Sequence, residues 1–273
     1  IRIEANNTTL GYVEDQMEIE STDLPEEISV SLMVEGVGEN VLNGNMSGSY
    51  PAATYIINSD LTIAVDDTVY LDAGTQFLFD GEYNFNIYGT LKAIGTESDS
   101  IIFDNHSDAE WRGFTLNHAS DETVFEYVGI YGVNAFAMYL ENSNPTINNV
   151  AISNNNSIGM HLSFSDPTLT HMNISNNNGH GMYLMESNPT LNNVNISNNI
   201  AFGGGGMRLS NSNPILNNVT ISNNIAVSDR GGGMSLVESN PILNNVTISN
   251  NVADHDGGGM YIEDSNPILT NII

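Results

Sequence analysis

A template close to Ser-Asn-Pro-x-Leu-Asn-Asn-Val-x-Ile-Ser-Asn-Asn, followed by a Gly-Met element, recurs from Asn142 to Ile273. Self-similarity at such a period restricts the fold to stacked repeats, because each unit can bury its apolar face only against the next one. The prolines Pro145, Pro167, Pro189, Pro214, Pro241 and Pro267 are spaced by 22, 22, 25, 27 and 26 residues. Every extra residue enters between the Ile-Ser-Asn-Asn and Gly-Met elements, at residues 203–206, 228–233 and 254–259. One loop per unit grows while the rest keeps its length.

Apolar residues come in pairs spaced by two and separated by Asn, Gly and Pro, which is strand patterning and leaves no room for a helix of ten or more residues. Each unit offers three short strands, with Leu191, Val194, Ile196, Met182 and Leu184 directed inward. Three strands and three turns close one coil of a parallel β-helix, stacked on the next at ~4.8 Å. Met138, Met160, Met182, Met207, Met234 and Met260 then form one core column. Beside it run Leu140, Leu162, Leu184, Leu209, Leu236 and Ile262. Pairing with leucine at strand spacing assigns the methionines to packing rather than to copper.

Asparagine occurs 41 times, mostly within the repeats. Alignment places Asn154, Asn176, Asn198, Asn223 and Asn250 in one column, and Asn149, Asn193, Asn218, Asn245 and Asn271 in another. A side-chain amide donates and accepts, and Asn tolerates the left-handed backbone of tight turns, so these columns are expected to be hydrogen-bonded ladders. Sequons such as Asn218-Val219-Thr220 follow from the same template.

Residues 43–141 lack the asparagine template but keep β-rich runs at 54–57, 61–65, 68–71, 77–79, 85–88, 101–103 and 124–131. They are expected to form about four irregular leading coils, followed by regular repeats over 142–273. Residues 1–42 are densely acidic and carry Pro25; the expectation is an N-terminal cap over the open sheet edge, or the tail of a preceding domain. The last repeat breaks off at Asn266-Pro267-Ile268-Leu269, so further coils are expected beyond Ile273.

The stretch DLTIAVDDTVYLDAGTQFLFDGEYNFNIYGTLKAIGTESDSIIFDN, followed by Trp111-Arg112-Gly113, resembles the opening coils of secreted bacterial right-handed β-helix proteins of pectate-lyase-like fold. In that group a Gly-Thr-Leu-x-Ala-x-Gly-Thr element, here residues 89–96, precedes a strand, a Trp-x-Gly coil and NPxLxNxxIxNN repeats. The resemblance covers roughly 220 residues. It implies the right-handed hand of the helix and export to the extracellular space or the bacterial cell surface, and it points to no particular activity.

Charge narrows the partners. With 33 Asp plus Glu against 5 Lys plus Arg, the net charge of −28 opposes nucleic acid and other polyanions. No run of ~18 apolar residues is present to span a membrane. The absence of cysteine removes disulfides, thiolate metal sites and cysteine nucleophiles.

The fold also hosts pectate lyases, polygalacturonases and alginate epimerases, so catalysis must be read residue by residue. Gly179-His180-Gly181 resembles a polygalacturonase tripeptide, but the accompanying Asn-Thr-Asp, paired-Asp and Arg-x-Lys elements are absent. The best constellation lies in the two longest loops, where alignment puts Arg230 beside Asp256, Asp229 beside His255 and Ser228 beside Asp254. These groups fit either acid–base work or charge pairing between coils. Glu238, Glu263 and Asp264 stack about a coil apart and are either solvated or hold calcium, which the fold does not otherwise require.

Outward residues Tyr139, His161, Tyr183 and Tyr261 form an aromatic column, interrupted by Arg208 and Ser235, that could contact a glycan. A flatter face carries Ala151, Asn173, Asn195, Thr220 and Thr247 beside Ser153, Ser175, Ser197, Ser222 and Ser249, a mixed array that gives ice binding a minor place. The leading expectation is a non-catalytic, adhesive spacer that touches glycans or extracellular matrix. The alternative is a carbohydrate-binding or carbohydrate-active β-helix.

Overall fold

The computed structural model describes residues 15–18, 29–32, 40–106 and 108–273. From Asn40 the chain winds as an all-β parallel solenoid of about nine turns, with no helix among the described residues. Most of the expected acidic cap lies outside the described residues. Within it the strands Asp15–Glu18 and Ser29–Leu32 pair antiparallel, and residues 40–42 already pair with 55–57 as part of the first turn.

A regular turn is built from three strands, such as Thr190–Asn192, Asn195–Ser197 and Met207–Ser210. Their inward residues define a Leu face, an Ile face and a Met face. Leu169, Leu191 and Leu216 are in register on the first, and Ile174, Ile196 and Ile221 on the second. Met182, Met207 and Met234 are in register on the third. All nine are fully buried, as the alternation of apolar and polar residues requires.

Each corner is turned by a single residue in the left-handed region, with φ between 47° and 57°. Asn149, His171, Asn193, Asn218, Asn245 and Asn271 turn the Leu-to-Ile corner, and Asn154, Asn176, Asn198, Asn223 and Asn250 the Ile-to-Met corner. The Met-to-Leu corner is less uniform, using Asn142, Phe164, Glu186, Asn211, Glu238 and Asp264. Asn accepts this conformation readily, whereas Phe and Glu pay about 1–2 kcal/mol for it.

The buried ladder lies one residue beyond the column expected from the sequence. Asn155, Asn177, Asn199, Asn224 and Asn251 point inward, and each of the first four donates its Nδ2 to the next Oδ1 at 2.9–3.0 Å. The same oxygens accept the backbone N–H groups of Asn155, Asn177, Asn199 and Asn224. The left-handed residue before each one reverses the in–out alternation, so Asn154 and its equivalents face solvent while their successors face the core. The other expected column bonds from Asn193 to Asn271, with Asn218 donating to Asn193 and Asn245 to Asn218 at 3.3 Å and Asn271 to Asn245 at 2.9 Å on the surface, while His171 separates Asn149 from it.

A second buried ladder is made of serine. Ser165, Ser187, Ser212 and Ser239 are fully buried, and each Oγ accepts the backbone N–H of the serine one coil earlier at 3.0–3.1 Å. Each of these hydroxyls also donates to the carbonyl two residues before it, as Ser187 does to Met185 at 2.8 Å.

In the leading coils aromatic rings take positions on the Met and Ile faces: Phe85 and Phe114 precede Met138 in register, and Phe77 and Phe103 precede Ile130. Phe79 stacks on Trp111 at 4.1 Å and 7°, Phe103 packs edge-on to Phe114 at 4.8 Å, and Trp111 Nε1 donates to the Tyr131 carbonyl at 2.6 Å. The expected runs at 54–57 and 61–65 merge into one strand, Thr54–Ile63, and Gly113–Asn117 is a further strand that the runs did not include.

Candidate functional site

The two longest loops and the preceding shorter one stack in register beside the Met face. Gly204 N–H donates to the Arg230 carbonyl at 3.0 Å, and Gly231 N–H to the Asp256 carbonyl at 3.1 Å. The tight turn requires glycine at Gly231, where φ is 72° and a Cβ would stand 2.4 Å from the Met234 carbonyl oxygen.

Within this stack the acid–base candidates meet one another as the alignment placed them. Arg230 Nε lies 3.4 Å from Asp256 Oδ2, Ser228 N–H donates to Asp254 Oδ2 at 2.9 Å, and His255 N–H donates to the Asp229 carbonyl at 3.3 Å. Arg230 also donates from Nη1 to the Tyr261 hydroxyl at 2.9 Å and lies over that ring at 4.9 Å. These contacts tie one loop to the next in a solvent-exposed setting.

Glu238 and Asp264 occupy successive Met-to-Leu corners, both exposed, with φ of 49° and 48°. Glu263 accepts from the Tyr261 hydroxyl at 3.2 Å. Among the described residues no three His, Asp or Glu side chains converge as a metal site.

Three of the four aromatic-column residues, Tyr139, His161 and Tyr183, lie in contact, while Tyr261 sits three coils beyond Tyr183, past Arg208 and Ser235. Tyr139 and His161 lie 5.1 Å apart, and His161 stacks on Tyr183 at 4.7 Å and 22°. Phe136 packs against both Tyr139 and His161. Arg208 lies over the other side of Tyr183 at 5.6 Å, and His180 sits 5.6 Å from the same ring. Of the rings one coil apart, His161 and Tyr183 are stacked while Tyr139 and His161 are tilted at 56°, and Arg208 lies over Tyr183. The Tyr183 ring is therefore covered by its neighbours, and its edge and hydroxyl are what it offers. Phe136 and His180 joined the column unforeseen, their signal being their position just before the strands that carry it, and Arg208, expected as an interruption, instead lies over the Tyr183 ring.

Burial dominates the electrostatics here. It lowers the His161 pKa to about 4, with nearby His180 acting in the same direction, and both His161 ring nitrogens are buried without a hydrogen-bond partner. His180 is also held below its ordinary value by burial, partly opposed by its 2.9 Å hydrogen bond to the Gly204 carbonyl. The Tyr139 phenol is raised by burial and then by the Glu141 carboxylate, to which its hydroxyl donates at 3.3 Å. Beside this region an open hollow of about 360 Å³ is lined by Ile158, Asn178, His180, Ile200, Phe202 and Val227, among others.

A family model described as "Right handed beta helix region" matches residues 112–273. No curated protein matches the sequence. Among solved structures, ORF18 of Geobacillus virus E2 aligns at 12% identity with a TM-score of 0.48, over 84% of this chain and 54% of that one. The chain thus spans about half the length of the viral protein. The periplasmic alginate epimerase AlgG aligns at 12% identity and a TM-score of 0.36, over 84% and 77% of the two chains. Endopolygalacturonase I from Stereum purpureum does so at 12% and 0.29, over 84% and 98%.

Proposed function

Since the chain belongs to the right-handed β-helix family, an architecture that confers rigidity without dictating a chemistry, we propose that it is a non-catalytic, adhesive spacer in a secreted or cell-surface bacterial protein. What supports this reading is the state of the loop residues that catalysis would need. Arg230, Asp254 and Asp256 are bonded to neighbouring loops in a solvent-exposed setting, which does not exclude water from an acid–base pair. The proposal is tested by incubating the protein with a panel of neutral and acidic polysaccharides. Turnover that Asp229→Ala or His255→Ala abolishes would overturn it.

A second reading, a carbohydrate-binding face, is favoured by the continuous aromatic column through Phe136, Tyr139, His161 and Tyr183. At Tyr183 sugar contact would run along the ring edge and hydroxyl, because His161 stacks on that ring and Arg208 lies over it. A glycan array that detects binding lost in folded Tyr183→Ala and Tyr261→Ala supports it, and a blank array removes it.

A further inference from the structure

We propose that Arg208, with the Tyr183 and Ser235 hydroxyls, forms a binding site for a single oxyanion group, a carboxylate or a sulfate, borne by an otherwise neutral ligand. Four cations lie among the described residues. Arg112 pairs with Glu82 at 3.1 Å, Arg230 pairs with Asp256 at 3.4 Å, and Lys92 donates to the Glu122 carbonyl. Arg208 is half-buried and has neither a hydrogen bond nor an ion pair with any described residue; its one contact of this kind is the Tyr183 ring. In a chain of net charge −28, a guanidinium without a carboxylate partner is an exception.

The surroundings extend the exception into a site. At both ends of the column the tyrosine hydroxyl is committed to an acid two residues on, Tyr139 to Glu141 and Tyr261 to Glu263. Between them the equivalent positions are Ser163, Met185, Ser210 and Val237, so this stretch carries no carboxylate in that column. The Tyr183 hydroxyl is left without a described partner, as is that of Ser235, which is aligned with Arg208 on the next coil and only 9% exposed. Stacking on Tyr183 restrains the planar fork of Arg208, which suits it to bidentate contact with an oxyanion. The field of the whole chain repels polyanions, which selects a ligand with one anionic group.

This inference goes beyond the spacer reading and stands apart from it, since turnover plays no part in its test. The side-chain Nε–Hε resonances of the four arginines are followed by NMR while acetate, and separately sulfate, replaces chloride at constant ionic strength. One resonance, absent in Arg208→Gln, is expected to move saturably, while those of the paired Arg112 and Arg230 do not. Tyr183→Phe keeps the ring and is expected to weaken binding about twofold to tenfold, the range of one hydrogen bond. Acetate and sulfate arms tell a carboxylate site from a sulfate site. The site is overturned if all arginines drift together without saturation, if the saturable signal persists in Arg208→Gln, or if Tyr183→Phe leaves the affinity unchanged.

Discussion

Asn224 donates its side-chain Nδ2 to Asn251 Oδ1 at 3.0 Å while the same oxygen accepts the Asn224 backbone N–H at 2.9 Å. On the other side, Asn199 donates both its N–H and its Nδ2 to Asn224 Oδ1 at 3.0 Å. Asn224→Ala therefore strands buried donors and acceptors on two coils and is expected to destabilise by at least about 3 kcal/mol. Asn223→Ala gives up only a favourable left-handed residue at a solvent-facing corner, about 1 kcal/mol. Thermal melts of the two variants decide the matter: equal shifts would mean that the inner amides do not hold the coils together.

His161→Phe should stabilise the protein, and increasingly so toward acid. It replaces a ring with two unpartnered buried nitrogens by an apolar ring of similar shape. The sign follows from a folded pKa of about 4 against an unfolded value of 6.5. Below pH 6.5 the unfolded chain takes a proton that the folded chain refuses, so this stability is complete above that pH and is lost on the way down to 4. The full effect is no more than about 3 kcal/mol, less with residual solvent access. Melts of wild type and variant at pH 7 and pH 5 should diverge at the lower pH; parallel curves would contradict the buried neutral imidazole.

Glu238→Asn should raise the melting temperature by an amount equivalent to about 0.5–1 kcal/mol, because it places a residue tolerant of φ 49° at a corner where asparagine serves elsewhere. Phe164→Asn should act similarly at its own corner. Calcium and sodium at matched ionic strength are expected to shift the melt equally, as general screening does. A calcium advantage that disappears in Glu238→Gln combined with Asp264→Asn would instead assign calcium to those carboxylates.

Arg230→Ala and Asp256→Ala are each expected to change stability by less than about 1 kcal/mol, since their ion pair is exposed at 3.4 Å. A urea midpoint shifted well beyond that range in either variant would reveal a structural clamp stronger than solvent exposure allows.

The coil, the three strands and the core columns were legible because period, proline and alternation all survive in the sequence. The ladder register was not, because each Ile-to-Met corner carries two consecutive asparagines, as in Asn198-Asn199 and Asn223-Asn224. Only the backbone distinguishes the outward member from the inward one. The serine ladder was hidden for a related reason: Ser187 and its equivalents sit in a polar Ser-Asn-Pro stretch that looks like surface, yet a reversed corner carries them inside. The aromatic positions were legible, but not that His161 would stack on Tyr183 while Tyr139 stays tilted, since ring orientation depends on packing between coils. The solitary state of Arg208 was out of reach of any alignment, being defined by what its neighbours do not supply.

Strand pairing in the regular region links residues 22 to 27 positions apart, as in Leu169 with Leu191 or Leu216 with Leu243, whatever the number of turns. The entropy of closing each turn is consequently the same for the first and the last. Opening likewise travels one turn at a time, so amide hydrogen exchange should be graded along the axis rather than uniform. A rod wound this way can gain or lose whole turns, and the remaining turns neither wind more slowly nor change their register.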